Sequence, residues 1–202
     1  LNTADSFTIS ENGVTVPNAV PRLVSDGFGD FISVKDFGAV GDGITDDQPA
    51  IQKAINYVHS VGGGTVNFPA GSYKLNSSVA LYNNVVLQGE ANGSIILLNT
   101  GVNFTTVTSS ILNIGIKNLT FNNVSGVAPG DVIHIASGGF IGNLLVDSII
   151  AKGINTVFYI ESNGFIVIAQ FNFCNFSYCL NWYVYYADNA STNMVLWNAC
   201  QF

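Results

Sequence analysis

Apolar residues recur along the chain with two different periods, and the switch between them divides it. Ala50, Ile51, Ala54, Ile55 and Val58 fall at helical spacing and predict one amphipathic helix. Thr45 and Gln48 have the spacing of a capping box, in which a threonine caps the helix start and a glutamine reaches back. Asp46 and Asp47 would then sit in the first turn, where negative charge suits the helix dipole. Pro49 is tolerated that early because its missing N–H would be unpaired anyway. Gly62, Gly63 and Gly64 end the helix by allowing left-handed backbone. From Val66 onward the period falls to two, with short apolar strands alternating with Gly/Asn turns.

The strand region repeats. Val132–Phe140 matches Val157–Phe165 at an offset of 25, and Val184–Thr192 follows at 27. A second register aligns Asn118–Phe121 with Asn143–Val146 at 25, Gln170–Phe173 at 27 and Leu196–Ala199 at 26. Such a repeat predicts coils of 25 to 27 residues, each with several short strands, stacked as a solenoid. Strand alternation then turns Ile133, Ile135, Phe158, Ile160, Tyr185 and Ala187 inward. His134, Tyr159 and Tyr186 form one outward ladder, and Ala136, Glu161 and Asp188 the next.

The stretch Val34 to Tyr73 carries a further signal. Val34-Lys35-Asp36-Phe37-Gly38-Ala39, Gly41-Asp42-Gly43, Thr45-Asp46-Asp47, Ala50-Ile51, Ala54-Ile55, Gly62-Gly63-Gly64-Thr65-Val66 and Phe68-Pro69-Ala70-Gly71-Ser72-Tyr73 occur in that order. In order and spacing they resemble the opening motif of the pectate-lyase-like superfamily, whose members include bacteriophage tailspikes and capsule depolymerases. The resemblance implies an all-β fold, a right-handed parallel β-helix with a short N-terminal capping α-helix. It also implies a homotrimer on a phage tail, other virion tail proteins as neighbours, and bacterial surface polysaccharide as the target. The motif marks the start of the fold and carries over no catalytic residue.

Residues 1–33 are expected to form an N-terminal extension or neck-like arm, residues 34–75 the opening motif, and residues 76–202 the coils. Leu1 is not a Met, and Phe202 falls inside a strand pattern, so more chain or a covering partner is expected beyond the coils. Charged residues make up 9% of the 202, and the net charge is −7, a balance that excludes the basic patches of nucleic-acid binding. No apolar run has the length of a membrane span, so membrane insertion is not expected. Cys174, Cys179 and Cys200 form no CxxC and have no matching His set, so they are expected as reduced, packed thiols without a metal. No cofactor is implied.

Glu161 and Asp188 are the candidate catalytic pair. Neighbouring outward carboxylates can divide acid and nucleophile roles in glycoside hydrolysis, and their proximity raises the pKa of one of them. Tyr159, Tyr186 and His134 beside them are the candidate substrate-binding residues, the tyrosines stacking on sugar faces. Asp131 and Asp147 are weaker candidates, isolated on their ladders. Asp42, Asp46 and Asp47 do not have the spacing of a calcium loop, and helix capping is expected to account for them. Trp197 and the Phe165–Phe176 run are expected in the core. The pectate-lyase route resembles a calcium-and-arginine mechanism, yet Arg22 is the single arginine and precedes the coils. The function the resemblance implies is a virion tailspike acting on capsule or O-antigen, with hydrolysis by the carboxylate pair the expected chemistry. The alternatives are a non-catalytic receptor-binding or structural appendage, or an extracellular cellular lyase or hydrolase.

Overall fold

The computed structural model describes residues 32–90, 93–124, 130–177, 179, 185–186 and 191–201; apart from Ile32 and Ser33, the expected N-terminal arm lies outside them. Among the described residues the chain forms a parallel β-helix, every strand pairing in parallel with its neighbour on the next coil. One sheet stacks Ile32–Ser33, Gly64–Phe68, Val85–Gly89, Ile114–Lys117, Phe140–Asp147, Phe165–Asn172 and Ser191–Asn198. A second stacks Asp42–Asp46, Gly71–Leu75, Ser94–Leu98, Thr120–Asn123, Ile150–Lys152 and Asn175–Ser177. A third stacks Thr105–Val107, Ile133–Ile135, Phe158–Ile160 and Tyr185–Tyr186.

Alternation puts one residue in two inside. Val66, Leu87, Ile116, Val146, Phe171 and Trp197 form one inner ladder across six coils. All but Trp197 are fully or almost fully buried, and Trp197 stacks on Phe171 at 4.2 Å between ring centroids. Tyr73, Ile96, Phe121, Ala151 and Phe176 line the facing ladder from the second sheet. Burying each large apolar side chain stabilises by about 1.5–3 kcal/mol, and this repeated burial holds the coils in register. Within the Phe165–Phe176 run Ile168 and Phe173 depart from the expected core: they are 39% and 68% exposed, and Phe173 adopts a positive φ of 51° at a turn.

The helix Gln48–Ser60 lies at the N-terminal end of the stack and buries Ala50, Ile51, Ala54, Ile55 and Val58, the face that periodicity predicted. Gly62, Gly63 and Gly64 all take positive φ at its end. Its start differs from the expected capping box. Thr45 lies in the strand Asp42–Asp46, where its N–H and hydroxyl donate to the Asp42 carboxylate. Asp47 is the N-cap residue, yet its carboxylate turns back to accept from the Val40 and Gly41 N–H groups at 2.6 and 3.1 Å. Asp46 accepts from the Gln48 and Asn76 N–H groups. Of the three carboxylates only that of Asp46 serves a helix-start N–H; Asp47 ties the Gly-rich turn to the helix, and Asp42 closes its own turn. The capping box instead sits at Ser33 and Asp36, over a 3-10 turn at Val34–Phe37.

Coil length varies more than the repeat implied. Ile133 pairs with Phe158 and Phe140 with Phe165, so the offset of 25 holds there. Gln170 pairs with Leu196, as the offset of 26 requires. Asn118, however, does not pair with Asn143. Ile114 pairs with Leu144, thirty positions on, and the Asn143 side chain donates to Asn113 at 2.9 Å. Leu145, rather than Asn143, pairs with Gln170. The turns absorb these differences, since lengthening a loop costs little closure entropy.

Candidate functional site

The third sheet positions the site. Ile133, Ile135, Phe158 and Ile160 are buried, which forces His134 and Tyr159 to the outer face, as alternation predicted. Their rings lie 4.8 Å apart, tilted by 57°. Thr106 precedes them on the same line, paired with His134. The next rung is Tyr185, which pairs with Tyr159, while Tyr186 pairs with Ile160. This corrects the expected ladder: the coil advances by 26 residues rather than 27, and Tyr185 replaces Tyr186 beside Tyr159. Asp188 lies outside the described residues, and the offset of 27 on which its pairing with Glu161 rested does not hold at Tyr159 and Ile160.

His134 sits between two carboxylates. Its Nδ1 lies 3.0 Å from Asp131 Oδ2, and its Nε2 lies 2.8 Å from Glu161 Oε1. Asp131 ranked in sequence as a weaker candidate because it stands just before its strand and shares no ladder with another acid. The geometry makes it the anchor. Asp131 is 5% exposed and also accepts from Asn155 Nδ2 at 2.9 Å and the Thr156 N–H at 3.1 Å. Its own N–H donates to Asn103 Oδ1 at 2.8 Å. Gly130 allows the chain to enter here, because a Cβ at that position would lie 2.0 Å from the Val102 carbonyl oxygen. Glu161 is held from the other side, its Oε2 accepting from the Ser137 N–H at 2.9 Å.

The charges follow from these contacts. The hydrogen bond to Asp131 raises the His134 pKa above its ordinary value; burial opposes this, and the Glu161 carboxylate adds to it. The same contact with His134, followed by the Ser137 N–H, lowers the Glu161 pKa. With the ring doubly protonated, both nitrogens donate, and Glu161 is ionised at neutral pH. Glu161 is thus suited to the role of base, nucleophile or charge stabiliser, and unsuited to that of protonated acid. Its side chain is 39% exposed, so a ligand on the outer face can reach it. The local signal that sequence reasoning passed over is the Asp131-x-x-His134 spacing, which brings the carboxylate beside the ring at the head of the strand.

Among the described residues, no group of three or more His, Cys, Asp or Glu side chains is arranged to hold a metal ion. The three thiols are free; burial pushes that of Cys174 up to about 12.

Residues 31–113 match the family described as rhamnogalacturonase A/epimerase, pectate lyase-like. Over those residues the chain is similar to a pectate-lyase-like family, and its described residues wind as a parallel β-helix. The match covers the opening motif and first coils of this β-helix and stops before Asp131. A mannuronan C5-epimerase of Azotobacter vinelandii, AlgE6, is 43% identical over 72 residues, 32% of this chain and 8% of the epimerase. The plasmin and fibronectin-binding protein A of Streptococcus pneumoniae is 45% identical over 84 residues, 41% of this chain and 11% of that protein. The tailspike protein of E. coli bacteriophage HK620, solved as a double mutant with a pentasaccharide, superposes with a TM-score of 0.55 at 18% identity. That superposition covers 90% of this β-helix and 37% of the tailspike chain, and at this identity it speaks for the fold alone. The chain therefore spans a small part of the curated relatives it matches.

Proposed function

We propose that this β-helix is part of a tailspike that binds host surface polysaccharide along the outer face of its third sheet and cleaves glycosidic bonds there. The observation that carries the reading is Glu161, held ionised by His134 on a solvent-facing ladder beside Tyr159. Tyr159 offers an aromatic face for a sugar ring, and Glu161 the negative charge that an oxocarbenium-like transition state calls for. Asp131 acts through His134: it fixes the ring and favours its cationic form, which in turn favours the ionised form of Glu161. Asp188 is assigned the acid role in this proposal, as the second carboxylate of the pair. Tyr186 and His134 complete the proposed saccharide-binding set, with Tyr185 added by its pairing to Tyr159. The polysaccharide-acting relatives support the substrate class, and the tailspike likeness supports a homotrimer on a virion tail.

The test is product analysis after mixing the chain with a panel of bacterial capsular and O-antigen polysaccharides. New reducing ends without an unsaturated sugar, lost in Glu161→Gln, support hydrolysis at this site. Unsaturated uronate would replace it with a lyase reaction. Binding without cleavage would support a second reading, a non-catalytic receptor-binding appendage. One observation favours that reading: both His134 nitrogens and both Glu161 oxygens are already engaged within the protein, as in a structural staple.

A further inference from the structure

A cleft of about 380 Å³ opens at the helix end of the molecule, away from Glu161. His59, Ala80, Tyr82, Thr106, Thr108 and Ser110 are among the residues that line it. Its floor follows the line of the third sheet. Val79 bridges to Thr105, so Ala80 and Thr106 precede His134 and Tyr159 on successive coils. The small side chains of Ala80 and Thr106 leave a depression that the larger rings of His134 and Tyr159 fill on the coils after it. Gln52 holds the floor from the helix: its Oε1 accepts from the Ala80 N–H at 2.7 Å, and its Nε2 donates to the Ala80 carbonyl at 3.2 Å. His59 and Tyr82 form one wall, stacked at 4.4 Å and within 13° of parallel.

This is an amphipathic site with fixed walls. An aromatic pair faces threonine and serine hydroxyls, and no Asp, Glu, Lys or Arg lines the cleft. A uronate carboxylate would find no lysine or arginine there, and His59 is stacked on Tyr82; burying a charge unpaired is costly. A neutral sugar ring meets both needs, its apolar face on the aromatic wall and its hydroxyls on Thr and Ser. A saccharide laid along the coil axis passes from Thr106 to His134 within one coil spacing, ~4.8 Å. We infer that the cleft is a second saccharide subsite, which takes a neutral sugar ring of the same chain that reaches Glu161. The inference rests on the polysaccharide reading and adds to it a position and a substrate class. Because the floor is held by Gln52, binding here requires little ordering of the protein.

The test is amide chemical-shift mapping on the full chain, with galactose, N-acetylglucosamine and rhamnose as probes and galacturonic acid as the charged comparison. At least one neutral sugar is expected to shift the amides of Tyr82 and Thr106 to Ser110, with galacturonic acid weaker there. Tyr82→Ala should weaken that sugar roughly five- to tenfold, as loss of an aromatic contact does. Ala80→Trp fills the depression from an exposed position and should abolish the shifts with the aromatic wall intact, which guards against misfolding of the first variant. Shifts confined to Asp131, His134 and Glu161 would overturn the subsite and leave the proposed function standing. Equal or stronger response of the cleft to galacturonic acid would overturn its neutral preference. No response of the cleft to any of the three neutral sugars would overturn the inference, while hydrolysis of the polysaccharide panel is judged separately by its products.

Discussion

Asp131→Asn is the perturbation that best probes the cluster, because it changes one charge and almost no volume. In the wild type the buried Asp131 carboxylate accepts from Asn155, Thr156 and the His134 ring. The variant's amide oxygen can still accept from Asn155 and Thr156, but its NH₂ faces the protonated Nδ1, donor against donor. One charge-assisted hydrogen bond is lost, worth about 1.5–3 kcal/mol, and His134 loses the contact that does most to raise its pKa. The folded-state pKa of His134 lies above its unfolded value of 6.5. Its contribution is therefore fully present below about pH 6.5 and is lost as pH rises through the folded value. Above that value the ring is neutral, Nδ1 can accept from the variant's NH₂, and the penalty of D131N should shrink. Urea unfolding at pH 6 and pH 9 measures the difference, and NMR titration of the ring locates the pKa. The expected result is a deficit of about 2 kcal/mol at pH 6, a smaller one at pH 9, and a His134 pKa lower than in the wild type. An equal deficit at both pH values with an unchanged ring pKa would refute the charge assignment.

Further outcomes follow from the same structure. Glu161→Gln should remove polysaccharide turnover while costing under about 1 kcal/mol of stability, since the pair is partly exposed; turnover assays beside urea unfolding check both. The Glu161 pKa is depressed in the folded state, so its contribution is present above the ordinary value of 4.5 and is lost as pH falls through the folded one; acid unfolding of E161Q should lack that component. Gly130→Ala should destabilise by roughly 3 kcal/mol or more, because the new Cβ meets the Val102 carbonyl rather than a flexible side chain; thermal unfolding reads it. Phe171→Ala should cost about 3–5 kcal/mol, since this fully buried ring touches Phe158, Phe176 and Trp197. Cys174, its thiol pushed up to about 12, should resist iodoacetamide at pH 8 until the chain unfolds, as mass spectrometry of the labelled peptides would report.

The chemistry of the site was only half visible from residues in line. His134, Tyr159 and Glu161 were found because a period-two pattern assigns each strand residue to a face, and three-residue strands such as Ile133–Ile135 keep that assignment. Asp131 ranked only as a weaker candidate because its role arises from a turn, where no period applies, and from partners at Asn155 and Thr156 on the next coil. The expected Tyr186 rung depended on one coil being 27 residues long; Tyr159 pairs with Tyr185 instead, and a slip of one residue exchanges the two faces of a strand. The Thr45 capping box failed for a related reason. The motif was present, yet Asp42 took the Thr45 donors and Asp47 turned to the Gly41 turn.

By itself the sequence determined the one helix and its buried face, where that helix stops, and that the strands wind as a repeat. These depend on local periodicity and on glycine's access to left-handed backbone, both properties of neighbours in the chain. Only the tertiary structure decided which residues stack across coils, that His134 bridges Asp131 and Glu161, and that Ala80 and Thr106 leave a cleft beside Tyr82. Turn length between coils is nearly free in energy, so it leaves little mark on the sequence. It nevertheless sets the register, and the register decides which distant side chains meet.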